Sequence, residues 1–199
     1  MFEKNNQLDF NKVNILTKLR IQIEPDLHVE LLHLLHSKEL YLLIETNREY
    51  LREWMSWIDD SKHEEYIKNF IKTSMKQQVD NLGFQCGIFY NNQLIGISGY
   101  QPLDKKNRCG EIGYWLSERF EGRGLMTKAC AKIIEFGFEI LDLNKIVIQC
   151  AVGNKKSRSL AERLGFKQEE VLEKNEWLYN RYIDHVVYSQ LKIDQRKSQ

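Results

Sequence analysis

The sequence predicts one mixed α/β (α+β) domain, and three local patterns support this fold class. Residues 84–100 contain two apolar runs separated by Asn91 and Asn92, and asparagine tolerates the positive φ of a tight hairpin turn. Residues 110–116 predict a third strand. Residues 125–141, after a glycine-containing turn, predict a long apolar helix. Strands and helices in a chain of 199 residues therefore predict a helix-covered sheet with one sizeable core.

The segment before the hairpin is predicted to be partly helical. Residues 27–35 fit either a helix or a strand by the spacing of their apolar residues. Ser37 is the predicted N-cap of a helix that continues to Thr46. Ser61 and Glu64 have the spacing of a capping box, which predicts the start of another helix.

Two tryptophans lie between these helices. Trp54 and Trp57 are three residues apart, which places both rings on one side of a helix if the segment is helical. Such a pair usually packs in a core, although one ring that lines a substrate groove is a second interpretation.

The C-terminal part predicts a strand, a capped helix and two further strands. Residues 145–152 are rich in β-branched residues, as is typical of a strand. Asn154 predicts the N-cap of the next helix, and Gly165 predicts its end. Residues 167–172 and 184–191 complete the predicted sheet.

Composition argues against a nucleic-acid or membrane partner. Hydrophobic residues make up 42% of the chain, charged residues 29%, and the formal net charge is +1, so no strong positive field favours a nucleic-acid duplex. We find neither a signal-peptide pattern nor an apolar run near the roughly 20 residues of a membrane span, and expect a cytoplasmic protein. We assign an N-terminal arm to residues 1–27, one domain to 28–193 and a polar tail to 194–199.

Cysteine and histidine spacing gives no reason to expect a metal. Zinc sites usually combine closely spaced cysteine pairs with nearby histidines. The cysteines are widely separated, and the three clustered histidines have no identifiable carboxylate partner; these residues are Cys86, Cys109, Cys130, Cys150, His28, His33 and His36. We therefore expect buried, reduced thiols and no metal site.

The turn before the long helix is the predicted phosphate-binding segment. Gly122 and Gly124 allow backbone N–H groups to converge at a helix N-terminus, and Arg119 and Arg123 add guanidinium groups that suit phosphate oxygens. The P-loop frame is absent, and Thr127 stands where a dinucleotide fingerprint needs its third glycine. On spacing alone, a simple glycine-rich turn before a core helix is an equal alternative.

The turn resembles the acyl-coenzyme A loop of the GNAT N-acetyltransferases, Arg/Gln-x-x-Gly-x-Gly/Ala, here at residues 119–124. Asn154-x-x-Ser157 and the Leu-Gly-Phe of residues 164–166 resemble the second half of that cofactor site, and residues 177–188 resemble the C-terminal strands. The resemblance covers about residues 28–193. It is closest to the Rim-type branch, which acetylates the N-termini of ribosomal proteins.

The resemblance implies the fold and the cofactor. It implies a mixed, mostly antiparallel sheet that splays between its fourth and fifth strands, with a first strand near residues 29–35. The cofactor is then acetyl-CoA. The implied cofactor-binding residues are Trp115, Leu116, Arg119, Glu121, Gly122, Arg123, Gly124, Leu125, Met126, Asn154 and Ser157.

The resemblance also implies catalytic roles. Ser157 matches the residue whose hydroxyl serves the leaving sulfur, and Glu176 matches the general base, with Glu111 as a rival base. Taken alone, Ser157 is also an ordinary first-turn helix residue and Glu176 an ordinary surface glutamate. A strand N–H near residues 115–116 is the implied oxyanion donor. The predicted acceptor-side residues are Trp54, Trp57, Tyr100, Glu111 and Tyr114.

We therefore predict an N-acetyltransferase that acts on a protein N-terminus, with a ribosomal protein as the implied acceptor. An α-amine with a pKa of about 7.7 to 8.0 needs only a modest base, whereas lysine at about 10.4 is harder to deprotonate. A small amine, such as a polyamine or drug, is the alternative acceptor. A non-catalytic acyl-CoA-binding module is the alternative from another class. The sequence is compatible with a homodimer as well as with a monomer.

Overall fold

An eight-stranded sheet forms the frame of the molecule, for which a computed structural model describes residues 19–192. The strand order is β1-β2-β3-β4-β5-β6-β8-β7, and every neighbouring pair is antiparallel except β5 and β6. The strands are β1 Arg20–Glu24, β2 Leu27–Leu31, β3 Phe84–Tyr90, β4 Gln93–Tyr100, β5 Cys109–Leu116, β6 Lys145–Ala151, β7 Lys167–Leu178 and β8 Arg181–Leu191.

Between residues 19 and 192, five α-helices cover the two faces of this sheet. The first three pack on one face and the last two on the other, which gives the molecule two apolar cores. They are α1 Ser37–Thr46, α2 Arg48–Arg52, α3 Glu64–Val79, α4 Leu125–Glu139 and α5 Lys155–Arg163, with short 3-10 turns at Leu34–His36, Ser56–Asp59 and Glu118–Phe120.

The larger core lies under α4 and α5. Ile133 of α4 and Ile146 of β6 are fully buried there, and burial of each such side chain contributes about 1.5 to 3 kcal/mol. The second core lies under α1 and α3, where Ile44 and Ile71 pack with Trp115 of β5. Because side chains alternate along β5, this strand contributes to both cores and is fixed from both sides.

The predicted fold class and hairpin are confirmed. Asn91 and Asn92 both have positive φ, at 50° and 60°, which is the geometry of the tight turn between β3 and β4. The predicted long helix is α4. Asn154 caps α5 through a hydrogen bond from the Ser157 amide at 3.1 Å, and Gly165 ends it with a φ of 84°.

Two predicted helix caps are wrong. Ser37 is the first residue of α1 rather than its cap, and its hydroxyl instead donates to Glu64 at 3.1 Å. Ser61 is fully buried and donates to the carbonyl of Ile58 at 2.8 Å, while His63 occupies the N-cap position of α3. In both cases the serine hydroxyl donates to another group and a histidine, His36 or His63, occupies the N-cap position.

Several boundaries differ from the sequence prediction. The strand expected at residues 29–35 is β2, which spans Leu27–Leu31 and pairs with β3. β1 lies within the segment assigned to the N-terminal arm, so the splay expected after the fourth strand follows the fifth in the observed numbering. β7 and β8 extend to a turn at Tyr179–Asn180. Residues 1–18 and 193–199 of the arm and tail lie outside the described part.

Candidate active site

A gap between two neighbouring strands marks the candidate site. β5 pairs with β6 only from Cys109 to Glu111, although it pairs with β4 from Ile112 to Leu116. Beyond Glu111 the two strands therefore diverge. A cleft of about 1010 Å³ lies at this opening and is lined by residues of β5, α2, α4 and α5.

The backbone of β5 directs hydrogen-bond donors into the gap. The Ser117 amide donates to the carbonyl of Ile95 at 2.8 Å, and the Glu111 carbonyl accepts from the amide of Gln101 at 2.9 Å. The backbone N–H and C=O groups of the odd-numbered residues in this stretch therefore face β4. Because backbone groups alternate along an antiparallel strand, the N–H groups of Tyr114 and Leu116 face the opposite side. These two amides are positioned to stabilise an oxyanion in the gap.

The turn before α4 supplies a second set of backbone donors. Gly122 and Gly124 have φ values of 70° and 72°, which favour glycine because they cost L-residues free energy. Gly124 is the N-cap of α4 and provides no capping side chain. The first amides of α4 thus remain free of intrahelical partners and carry the positive end of the helix dipole. This arrangement suits a phosphate group.

The two predicted phosphate-binding arginines lie on the outside of this turn. Arg119 donates to Gln93 at 3.3 Å, and Arg123 donates to the carbonyl of Arg119 at 3.3 Å. Both guanidinium groups also lie over the ring of Phe120. Both arginines are exposed, and neither is among the residues that line the cleft.

Glu121 joins three elements at the mouth of the cleft. Its carboxylate accepts hydrogen bonds from Tyr50 of α2 and Lys156 of α5. Burial and the Glu121 contact raise the pKa of the Tyr50 hydroxyl, and the same carboxylate raises the pKa of Lys156. Lys156 therefore places a cation beside the turn that the motif alone does not identify.

Ser157 faces the strand gap from the first turn of α5. Its Oγ lies 3.0 Å from the hydroxyl of Tyr114, and both residues line the cleft. Burial raises the pKa of the Tyr114 hydroxyl, so this group stays protonated and can donate to Ser157. The two hydroxyls form a chain that can deliver a proton to a leaving thiolate.

Glu176 lies in β7 rather than in the surface turn considered from the sequence. Its Oε1 accepts from Ser56 Oγ at 2.8 Å, and its Oε2 is 3.2 Å from His185 Nε2. Val186 and Tyr188 of β8 pack in the core under α5, so alternation places His185 on the opposite face of the sheet. The carboxylate therefore lies on the face opposite α5.

Glu111, the rival base, is half-buried at the point where β5 and β6 separate. Burial raises the pKa of its carboxyl, and His185 opposes this shift by a smaller amount.

Trp54 lines the cleft and lies 3.3 Å from where a Cβ on Gly153 would be. Trp57 instead packs against the second core, and neither ring lies in a regular α-helix.

Tyr100 is a correction to the predicted acceptor side. It is fully buried, and its hydroxyl donates to the carbonyl of Ile133 at 3.1 Å. A Cβ on Gly137 would lie 2.0 Å from this hydroxyl, so a glycine in α4 makes room for it. The side chain therefore supports the core and does not reach an acceptor.

The remaining predicted cofactor residues line the cleft. They are Trp115, Leu116, Glu121, Gly122, Gly124, Leu125, Met126, Asn154 and Ser157. The indole N–H of Trp115 is buried and has no hydrogen-bond partner within residues 19–192. Sequence reasoning missed Ser56 and His185. In the sequence, His185 directly precedes the apolar residues of a predicted strand, and this position does not predict a contact with Glu176.

The fold, the strand gap and the glycine turn together define an acyl-CoA-dependent acetyltransferase site. Residues 27–167 match the acetyltransferase (GNAT) domain family, and the chain belongs to this family. It is an N-acetyltransferase that uses acetyl-CoA. Across the described range no helix is long and apolar enough to cross a membrane, and no metal-binding group of three side chains is found there.

Individual relatives extend the match beyond the motif. YdaF of Bacillus subtilis (strain 168), provisionally named a ribosomal N-acetyltransferase, is 35% identical over 86% of this chain and 94% of its own length. The ribosomal-protein-serine acetyltransferase of Escherichia coli (strain K12) is 30% identical over 78% and 87%, respectively. The microcin C7 self-immunity acetyltransferase MccE, solved with acetyl-CoA and AMP, superimposes with a TM-score of 0.82 at 31% identity, covering 86% of this chain and 96% of that one.

The observed residues fit acetyl-CoA. The backbone donors at Gly122 and Gly124 suit the pyrophosphate, and the gap beside Leu116 accommodates an extended arm that can pair with the free edge of β5. When bound, the cofactor supplies the activated acetyl thioester. The β5 amides that face the gap and the paired hydroxyls of Ser157 and Tyr114 are the polar groups of the chain beside the place that this thioester would take.

Proposed function

We propose that the acceptor is the N-terminal α-amine of a protein, and of a ribosomal protein in particular. The similarity to the ribosomal-protein-serine acetyltransferase, over 87% of that protein's length, carries the proposal. The chemistry agrees, because an α-amine with a pKa near 8 needs only a single carboxylate as base. Glu176 is our candidate base, and its contacts with Ser56 and His185 fix its position.

In this mechanism, different groups of the chain remove a proton, stabilise the oxyanion and protonate the leaving sulfur. Glu176 removes a proton from the acceptor ammonium, and the neutral amine forms the new N–C bond at the acetyl carbonyl. The amide of Leu116 stabilises the oxyanion. The C–S bond then breaks as Ser157 donates its proton to the sulfur and takes the second proton from the nitrogen of the intermediate, which leaves a neutral amide, the free coenzyme A thiol and the Ser157 hydroxyl. Trp54 borders the cleft on the acceptor side.

A small amine is the competing acceptor. The spermidine N(1)-acetyltransferase of Vibrio cholerae is 29% identical, but over only 46% of this chain and 53% of its own length. That shorter match gives it less weight than the ribosomal-protein relatives.

A panel of acceptors tests the proposal. Short peptides with different first residues, the same peptides with a blocked α-amine and one internal lysine, and spermidine are compared by thiol release from acetyl-CoA. We expect the free α-amine peptides to have the highest kcat/KM and the blocked peptides to be inactive. Equal rates for blocked and free peptides, or a higher rate for spermidine, would contradict the proposal.

A further inference from the structure

The carboxylate of Glu176 has one close polar neighbour at each oxygen, a serine hydroxyl at one and a histidine ring nitrogen at the other. Ser56, from the 3-10 turn after α2, donates to Oε1 at 2.8 Å. His185 of β8 lies 3.2 Å from Oε2 through its Nε2. A carboxylate has about four acceptor positions, so lone pairs remain for an incoming amine. Two partners on different elements restrict a side chain that would otherwise choose among many rotamers.

A neighbouring amide sets the orientation of the histidine ring. The side-chain amide nitrogen of Asn175 lies 3.1 Å from His185 Nδ1. An N–H of Asn175 that donates to Nδ1 leaves the ring proton on Nε2, where it points at Glu176. β7 thus supplies both the carboxylate and the group that orients its histidine partner. The ring is half-buried and anchored by the pairing of His185 with Ala151 and Leu172.

We propose that His185 is a positioning residue for acetyl transfer: its Nε2–H holds the Glu176 carboxylate where it takes the proton from the acceptor amine. This inference rests on the proposed role of Glu176 as base. Position matters because a general base must lie within hydrogen-bond reach of the proton that it removes, and small displacements cost large factors in rate. Ser56 holds the other oxygen.

Two substitutions at this position form a matched pair. The side-chain amide nitrogen of glutamine reaches about as far as histidine Nε2, whereas asparagine reaches only to the position of Nδ1. His185→Gln therefore keeps a donor for Glu176, and His185→Asn removes it. We expect His185→Asn to lower kcat by about tenfold to hundredfold, the usual effect of one hydrogen bond to a charged group, with an unchanged KM for acetyl-CoA. His185→Gln should recover most of this loss.

A double substitution separates positioning from an independent role. In a Glu176→Gln background, His185→Asn should lower kcat by less than about twofold, because the group on which it acts is gone. A full additional loss in that background would overturn the inference. So would wild-type kcat in His185→Asn, or equal impairment of His185→Asn and His185→Gln accompanied by the same drop in Tm.

The acceptor for these assays is whichever amine the wild-type enzyme acetylates best. A failure of the proposed α-amine specificity is then seen in the wild-type panel, before any variant is compared. A silent Glu176→Gln substitution would remove the basis of the proposed mechanism, whereas a strong Glu176→Gln effect with a silent His185→Asn substitution would reject only the positioning role.

Discussion

The cofactor side and the acceptor side of this enzyme are built in different ways. The cofactor side comes mainly from backbone groups in two short stretches, residues 114–126 and 154–157. The proposed acceptor side is assembled from side chains of segments that are distant in sequence, which include Ser56, Glu176 and His185. Ser56 and Glu176, which share a hydrogen bond of 2.8 Å, are 120 residues apart. One side is therefore local in sequence, and the other exists only in the folded chain.

This difference affects what each side tolerates. A backbone-built site depends on φ and on the absence of Cβ atoms, so most side-chain changes there should be mild except at the glycines. A site built from side chains depends on a few specific groups, and loss of one group should mainly affect kcat. The predictions below test this contrast from the largest expected effect to the smallest.

The largest effect is expected at Glu176. Glu176→Gln keeps the shape of the side chain but removes the base, so kcat/KM for the amine should fall by about 10² to 10⁴ at pH 7. Raising the pH past about 8 should recover much of the loss, because the α-amine then loses its proton to the solvent. Steady-state thiol release from pH 6 to 10 measures both effects. Near wild-type kcat/KM at pH 7 would assign the base elsewhere.

The next effect is expected in cofactor binding at Gly124. Acetyl-CoA at a hundredfold excess over Kd should stabilise the wild-type fold by about 2.7 kcal/mol, and Gly124→Val should abolish this shift. A β-branched residue disfavours the observed φ of 72°, and its side chain would occupy space beside the phosphate-binding amides. Thermal unfolding with and without acetyl-CoA measures the shift.

Gly124→Asn is the matched control, because asparagine adopts positive φ more readily than valine. It should retain more of the unfolding free energy than Gly124→Val does. Among the described residues no atom lies within 4 Å of the position that a Cβ would take here, so a steric clash inside the protein is not expected. A folded Gly124→Val protein with the full acetyl-CoA shift would show that the phosphate binds elsewhere.

The same contrast explains what the sequence could predict. The hairpin at Asn91 and Asn92 and the turn at Gly122 and Gly124 were predictable because positive φ selects particular residues at fixed spacing. The position of Tyr100 was not predictable, since an aromatic residue at the end of a strand can face either a cleft or a core. Only the packing of Gly137 against its hydroxyl decides this.

Other side-chain contacts were equally hard to predict. Ser61 has the spacing of a capping box, but its hydroxyl donates to the carbonyl of Ile58 three residues earlier, and α3 begins only at Glu64. His185 lies within residues 177–188, which resemble the family's C-terminal strands, but that resemblance gives it no role. Its role depends on the β6–β8 and β7–β8 registers, which bring it beside Glu176. Tertiary contacts of this kind leave no local pattern.

A smaller effect is expected at Ser157, which stands between the two sides. Ser157→Ala should lower kcat by about tenfold to hundredfold, because the leaving sulfur loses its hydroxyl donor. Its backbone amide still donates to Asn154, so the cap of α5 should survive. The defect should persist at high pH, unlike that of Glu176→Gln, and Ser157→Thr should recover part of the rate. Full recovery of Ser157→Ala at high pH would exclude a role in thiolate departure.

The smallest effect is expected at Glu111, where stability and activity should separate. Burial raises the pKa of this carboxyl in the folded protein, so the folded state binds the proton more tightly than the unfolded state. The ionised form therefore destabilises the fold above that pKa, and Glu111→Gln should raise the free energy of unfolding at pH 7 by less than about 1 kcal/mol. The gain should vanish below the unfolded pKa of about 4.3, where the carboxyl is protonated in both states. Urea unfolding at pH 7 and pH 4 measures this difference.

Because Glu176 is the proposed base, kcat/KM of the same Glu111→Gln variant should stay within about threefold of wild type, which corresponds to less than 1 kcal/mol of activation free energy. A fall of a hundredfold or more, recovered at high pH, would instead make Glu111 the base and move the acceptor amine to the edge of β5.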